Sequence, residues 1–162
     1  MAVKRLSINW NAKLHDSKDL QKNGDSGDGK FSKKFGEGRF VIPAPLEVDA
    51  LMKKVPKGKL TTINELRAAV ARQHKTDIAC PITTGILAWM SANAAEEALE
   101  AGRKRVTPYC RTLKTGGEVN PKYPGGVTAQ RKMLEAEGHK TVKKGKRLLV
   151  VDFEKRVVTP KV

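Results

Sequence analysis

Thr61-Thr62-Ile63-Asn64-Glu65-Leu66-Arg67-Ala68-Ala69-Val70 and, further on, Pro81-Ile82-Thr83-Thr84-Gly85-Ile86-Leu87-Ala88-Trp89-Met90 decide the fold of this chain. Thr62 followed three residues later by Glu65 is a capping box: the hydroxyl accepts from the Glu65 amide while the Glu65 side chain reaches back. Ile63, Leu66 and Val70 then form one buried stripe of a helix ending near Gln73-His74. Lys75 to Cys80 is a connection, and Pro81 suits the first turn of the next helix. On that helix Ile82, Ile86, Trp89, Met90 and Asn93 share one face, expected inward. Upstream, Val48, Leu51, Met52 and Val55 mark a helix that Pro56 stops. Two helices joined by a turn, behind a third, are helix-turn-helix organisation. The expected outer face of the second helix is Thr83, Thr84, Leu87, Ala88 and Ser91. It lacks the Arg, Lys, Asn and Gln that read base edges in a major groove. A small uncharged face suits close approach in a minor groove, or simple burial within the protein.

Working outward, Ala94 to Gly102 continues as a helix with Gly102 as its C-cap. Arg103-Lys104-Arg105 follows, then Val106-Thr107-Pro108-Tyr109-Cys110-Arg111. The pairs Gly116-Gly117 and Gly125-Gly126 demand tight turns or close backbone approach. Val127 to Glu137 is again helical, with Val127, Met133 and Leu134 inward. Thr141-Val142 and Leu148 to Phe153 form two strands around the basic turn Lys143-Lys144-Gly145-Lys146, and Val157-Val158 add a last strand. At the other end, Ala2 to Trp10 alternates as a short strand. Asp16 to Arg39 is polar and glycine-rich and reads as a flexible loop. Arg39 to Pro43 is extended. The fold class expected is mainly α with small β elements: a winged helix-turn-helix with a C-terminal β-hairpin. The parts are an arm at 1–40, the helical domain at 41–140 and a basic hairpin at 141–162.

The chain has 162 residues and a formal charge of +15, from 32 Lys+Arg against 17 Asp+Glu. That excess runs along the whole chain, so the expected partner is a polyanion, with nucleic acid first. No apolar run reaches spanning length, which argues against a membrane. Residues 1–10 lack a secretory apolar region. Cys80 and Cys110, far apart, make no disulfide framework, and a reducing, cytoplasmic, nucleoid-associated setting fits them. Cys80, Cys110, His74 and His139 match no zinc spacing, so neither metal nor cofactor is expected.

Read together, Val55-Pro56-Lys57-Gly58-Lys59-Leu60-Thr61-Thr62, Lys122-Tyr123-Pro124-Gly125-Gly126 and Met133-Leu134-Glu135-Ala136-Glu137-Gly138 resemble the DNA-binding domain of O6-alkylguanine-DNA alkyltransferases. They also resemble the non-enzymatic alkyltransferase-like proteins. The resemblance covers Leu46 to His139. It implies minor-groove docking of the second helix on double-stranded DNA and a flipped guanine held beside a Pro-Cys-His-Arg motif. There a thiol, activated by the His with a Glu behind it, takes the alkyl group. By the same resemblance Asn93, Tyr123 and Glu137 keep family positions, and Pro108, Tyr109, Arg111, Gly125 and Gly126 complete the lesion pocket.

This chain departs from the pattern. Tyr109 stands in the Cys slot and Cys110 in the His slot. The Arg that fills the gap left by the flipped base falls at Thr83 or Thr84, and the Tyr of the first helix becomes Ile63. In alkyltransferase-like proteins a Trp occupies the Cys slot, and the lesion is bound without repair. The expected function is therefore recognition of O6-alkylguanine without catalysis, by a monomer, with a downstream repair protein as a further candidate partner. One alternative is a suicide methyltransferase with Cys110 as acceptor and Glu137 behind it. The other is a generic basic duplex-binding protein. The expected DNA contacts are Lys57, Lys59, Thr61, Thr62, Thr83, Thr84, Ala88, Ser91, Arg103, Lys104, Arg105, Lys114 and Lys122.

Overall fold

A computed structural model describes residues 8–17, 20–25, 33–34 and 36–162. Five helices are described: α1 (Trp10–His15), α2 (Pro45–Lys53), α3 (Ile63–Gln73), α4 (Pro81–Glu100) and α5 (Gly126–Ala136). Three small sheets accompany them. β1 (Lys22–Asp25) pairs antiparallel with β2 (Arg39–Ile42), which pairs parallel with β4 (Ile78–Ala79). β3 (Thr61–Thr62) pairs parallel with β5 (Thr112–Leu113), and β6 (Thr141–Lys144) and β7 (Arg147–Val150) form an antiparallel hairpin. The molecule is thus helix-rich with small sheets.

Helix α4 is the central member: α1, α2 and α3 all pack on it. The residues that allow this are small. Thr84, Ala88, Ser91, Ala92 and Ala95 are buried along α4, so neighbouring helices approach closely around Leu66, Val70, Leu51 and Met52. The expected faces of α4 are therefore partly exchanged, although Met90 is buried as expected. Thr84, Leu87, Ala88 and Ser91 point into the bundle, whereas Ile82 and Ile86 stand in solvent. Both sides of α4 are apolar or small, so periodicity alone does not orient it.

The helix ends follow local chemistry. The Thr62 hydroxyl accepts from the Glu65 amide at 3.3 Å, while the Glu65 carboxylate accepts the hydroxyl of Thr159. Pro81 begins α4, and Gly102, at φ +91°, turns the chain beyond it. Two expectations are revised at the N-terminal side. Trp10 opens helix α1 rather than closing a strand, and Lys22–Asp25 is a strand within the expected loop. Residues 2–7 of the expected first strand and 18–19, 26–32 and 35 of that loop lie outside the described residues. Glu97 holds α1 in place: its carboxylate accepts the amides of Trp10 (2.6 Å) and Asn11 (3.2 Å). A carboxylate at a helix N-terminus meets the unpaired amides and the positive end of the dipole.

A second core lies under the hairpin and contains Leu60, Leu113, Val119, Leu134 and Val150. The Val157 strand is reduced to a bridge with Leu60. Gly117 has φ +80°, and a Cβ on it would lie 2.3 Å from Cδ1 of Phe153. Gly117→Ala is expected to destabilise the protein by about 1–2 kcal/mol from left-handed backbone strain alone. Crowding of the Phe153 ring adds to that. A urea midpoint equal to wild type would contradict the strain.

Candidate nucleic-acid interface

The residues of the central motif do converge. Tyr109, Cys110 and Arg111 form one 3₁₀ turn after Pro108. Tyr109 and Tyr123 meet edge to face, with centroids 5.7 Å apart and planes at 87°. They are only 3% and 2% exposed. The Tyr109 hydroxyl donates to Glu96 at 3.3 Å, and burial, then the Glu96 charge, push its pKa well above the usual phenol range. Asn93 is half-buried and donates back to the Trp89 carbonyl at 2.9 Å. Gly125 and Gly126 take φ +76° and +68°, and Gly125 caps α5.

Arg111 and Glu137 make a bidentate ion pair. The Arg111 Nε lies 3.0 Å from both carboxylate oxygens, and Nη2 lies 2.7 Å from Oε1. Arg111 Nη1 also donates to the Val55 carbonyl at 2.7 Å. The pair thus ties the end of α5 to the 3₁₀ turn and to Val55, two residues past α2. Glu137 is committed to this guanidinium. Cys110 is 6% exposed. Burial, then the Glu137 charge, push its thiol up to about 12, against the opposing pull of Arg111. A thiol in that condition is a poor nucleophile at neutral pH. Cys80 and Cys110 are both free and buried. Among the described residues no group of three His, Cys, Asp or Glu is placed to hold a metal ion. None of the described helices is long and apolar enough to cross a membrane.

A different feature faces solvent. A groove of about 550 Å³ runs between the first half of α4 and the loop before Tyr123. Ile63, Ile82, Gly85, Ile86 and Trp89 line one side, and Lys114, Asn120, Pro121 and Lys122 the other. Among the described residues no carboxylate lines it. Hydrogen bonds run from this groove to the buried turn. Trp89 Nε1 donates to the Lys122 carbonyl at 3.0 Å, and the Lys122 amide donates to Asn120 Oδ1 at 3.0 Å. The Asn120 amide donates to Gln130 Oε1 at 3.1 Å, and Gln130 Nε2 donates to the Cys110 carbonyl at 3.2 Å. Beyond Lys114, Glu118 lies 3.4 Å from Arg147 of the hairpin and 3.8 Å from Lys114. Lys143, Lys144 and Lys146 are exposed on that hairpin.

The expected contact residues divide. Lys114 and Lys122 line the groove. Lys57 and Lys59 are exposed on the turn after α2. Thr61 and Thr62 are buried in β3, as Thr84, Ala88 and Ser91 are in α4, and Thr83 is half-buried. Arg103, Lys104 and Arg105 are exposed beyond the far end of α4, a 20-residue helix and so about 30 Å long. They stand well away from the groove at its start. Sequence reasoning missed Ile82, Gly85, Ile86, Asn120 and Pro121 as groove residues. The available signal was an i, i+4 isoleucine pair around a glycine in the first turns of a helix.

No protein-family model and no curated protein matches the chain. Among solved structures it is similar to S. pombe Atl1 in complex with damaged DNA containing O6-carboxymethylguanine, at 17% identity and a TM-score of 0.47, over 72% of this chain and 94% of that one.

Proposed function

We propose that this chain is a winged helix-turn-helix protein that binds duplex DNA through its minor groove and recognises alkylated guanine without repairing it. In this reading α3 and α4 are the helix-turn-helix and β6–β7 the wing. The observation that carries it is the groove on α4, lined by apolar side chains together with Lys114 and Lys122 and, among the described residues, by no carboxylate. An apolar strip beside a basic wall fits a duplex groove, whose floor of sugars and base edges is bordered by phosphates. The absence of repair rests on Cys110, buried and protonated, and on Glu137, held by Arg111. Lesion recognition rests on Tyr109 in the family's Cys slot, an aromatic that can stack on a base but cannot accept an alkyl group.

One observation favours a second reading, general duplex binding. Tyr109 and Tyr123 are packed on each other, so an extruded base reaches them only if they part.

Phosphate contacts set the salt dependence of binding, at about 0.9 in the log–log slope for each. Replacing Lys143, Lys144 and Lys146 together by Gln is expected to flatten that slope by about 2.7. Fluorescence anisotropy on one duplex across a salt series measures it. An unchanged slope would remove the hairpin from the interface.

A further inference from the structure

Ile82 and Ile86 are 59% and 51% exposed and lie one turn apart on α4. Gly85 sits between them, and a Cβ built there meets nothing within 4 Å. The fold itself therefore has no packing need for glycine at this position. A glycine inside a helix is less stable there than an alanine. Its effect here is to bare the helix backbone between two apolar side chains. The support beneath is rigid: Trp89 is fixed by its bond to the Lys122 carbonyl and by edge contact with Trp10 at 4.8 Å. Lys114 and Lys122 share the groove, so whatever covers it is expected to carry negative charge.

We infer that Ile82 and Ile86 are an apolar wedge that enters a base step from the minor groove, with Gly85 letting the helix backbone close on the duplex. The inference rests on the duplex-binding reading and deepens it. Apolar side chains inserted between base pairs unstack the step and bend the duplex. Opening a step costs least where pairing is already weak. The wedge thus selects weakly paired steps, whether the cause is an alkylated guanine or a plain mismatch. The substrate class widens from one lesion to destabilised base pairs.

The test uses the full chain and duplexes carrying 2-aminopurine beside either a normal pair or a G·T mismatch. Wild type is expected to raise 2-aminopurine emission several-fold, and to bind the mismatch more tightly. Ile82→Ala/Ile86→Ala is expected to keep salt-dependent binding, lose the emission rise and lose the mismatch preference, with affinity about tenfold lower. Gly85→Leu, which keeps both isoleucines, is expected to weaken binding by blocking close approach. Thermal melts of both variants check folding, and all three positions are solvent-facing or unopposed. Wild-type binding with no emission change would overturn the wedge and leave duplex binding standing. No wild-type binding at about 50 mM salt would overturn both. A wild-type dimer that Ile82→Ala/Ile86→Ala converts to monomer would assign the face to a second copy and overturn the wedge.

Discussion

Glu137→Ala is expected to destabilise the protein by about 3–5 kcal/mol, the usual cost of removing one partner from a buried ion pair. Arg111 and Glu137 side chains are only 15% and 13% exposed, and their contact is two-pronged. Removing the carboxylate leaves a half-buried guanidinium whose remaining bond, among the described residues, is to the Val55 carbonyl. Glu137→Gln keeps the shape and one acceptor, so its loss is expected to be smaller. Urea unfolding of the three proteins checks the order. A loss under about 1 kcal/mol for Glu137→Ala would mean that the pair behaves as a surface salt bridge. The result bears on function, because a carboxylate used as a clasp is not free to orient a base for a thiol.

The second large effect is chemical inertness of Cys110. With its thiol pushed up to about 12, its thiolate fraction at neutral pH lies about three orders of magnitude below that of a free cysteine. Incubation with excess O6-methylguanine duplex is expected to leave the intact mass unchanged. Alkylation of the Cys110 peptide by iodoacetamide in the native state is expected to be slower by a similar factor. A methyl-sized mass gain on that peptide would show repair. The same shift predicts an alkaline weakness. The unfolded chain loses this proton near pH 8.5, whereas the fold keeps it to about 12. The stabilisation is therefore full below about pH 8.5 and is lost as pH rises through that window. Melting temperature should fall there, and Cys110→Ala should flatten the fall.

Much of this was legible in the residues, where the deciding physics is local. The Thr62 cap, Pro81 at a helix start and Gly102 after a helix end each act within a few residues. So do the left-handed glycines at 116, 117, 125 and 126 and the Gly145 hairpin turn. What escaped was decided across the chain. Which side of α4 turns inward depends on how closely Thr84, Ala88 and Ser91 let other helices approach, and the composition of α4 is nearly the same on both sides. Helix α1 is short and is held by Glu97, far away in sequence. Lys22–Asp25 is polar and becomes a strand through pairing with β2. The Arg111–Glu137 clasp uses a glutamate whose family role suggested a proton relay. The convergence of Tyr109, Tyr123, Cys110, Arg111 and Glu137 was readable from motif resemblance, whereas the groove around Ile82 and Ile86 required the orientation of α4.

The most direct test of the account is a pair of titrations at one fixed salt concentration, with two duplexes identical except for a single O6-methylguanine. The account predicts tighter binding of the lesion duplex, with the protein recovered at unchanged mass. Equal affinity for the two duplexes would contradict lesion recognition and leave general duplex binding.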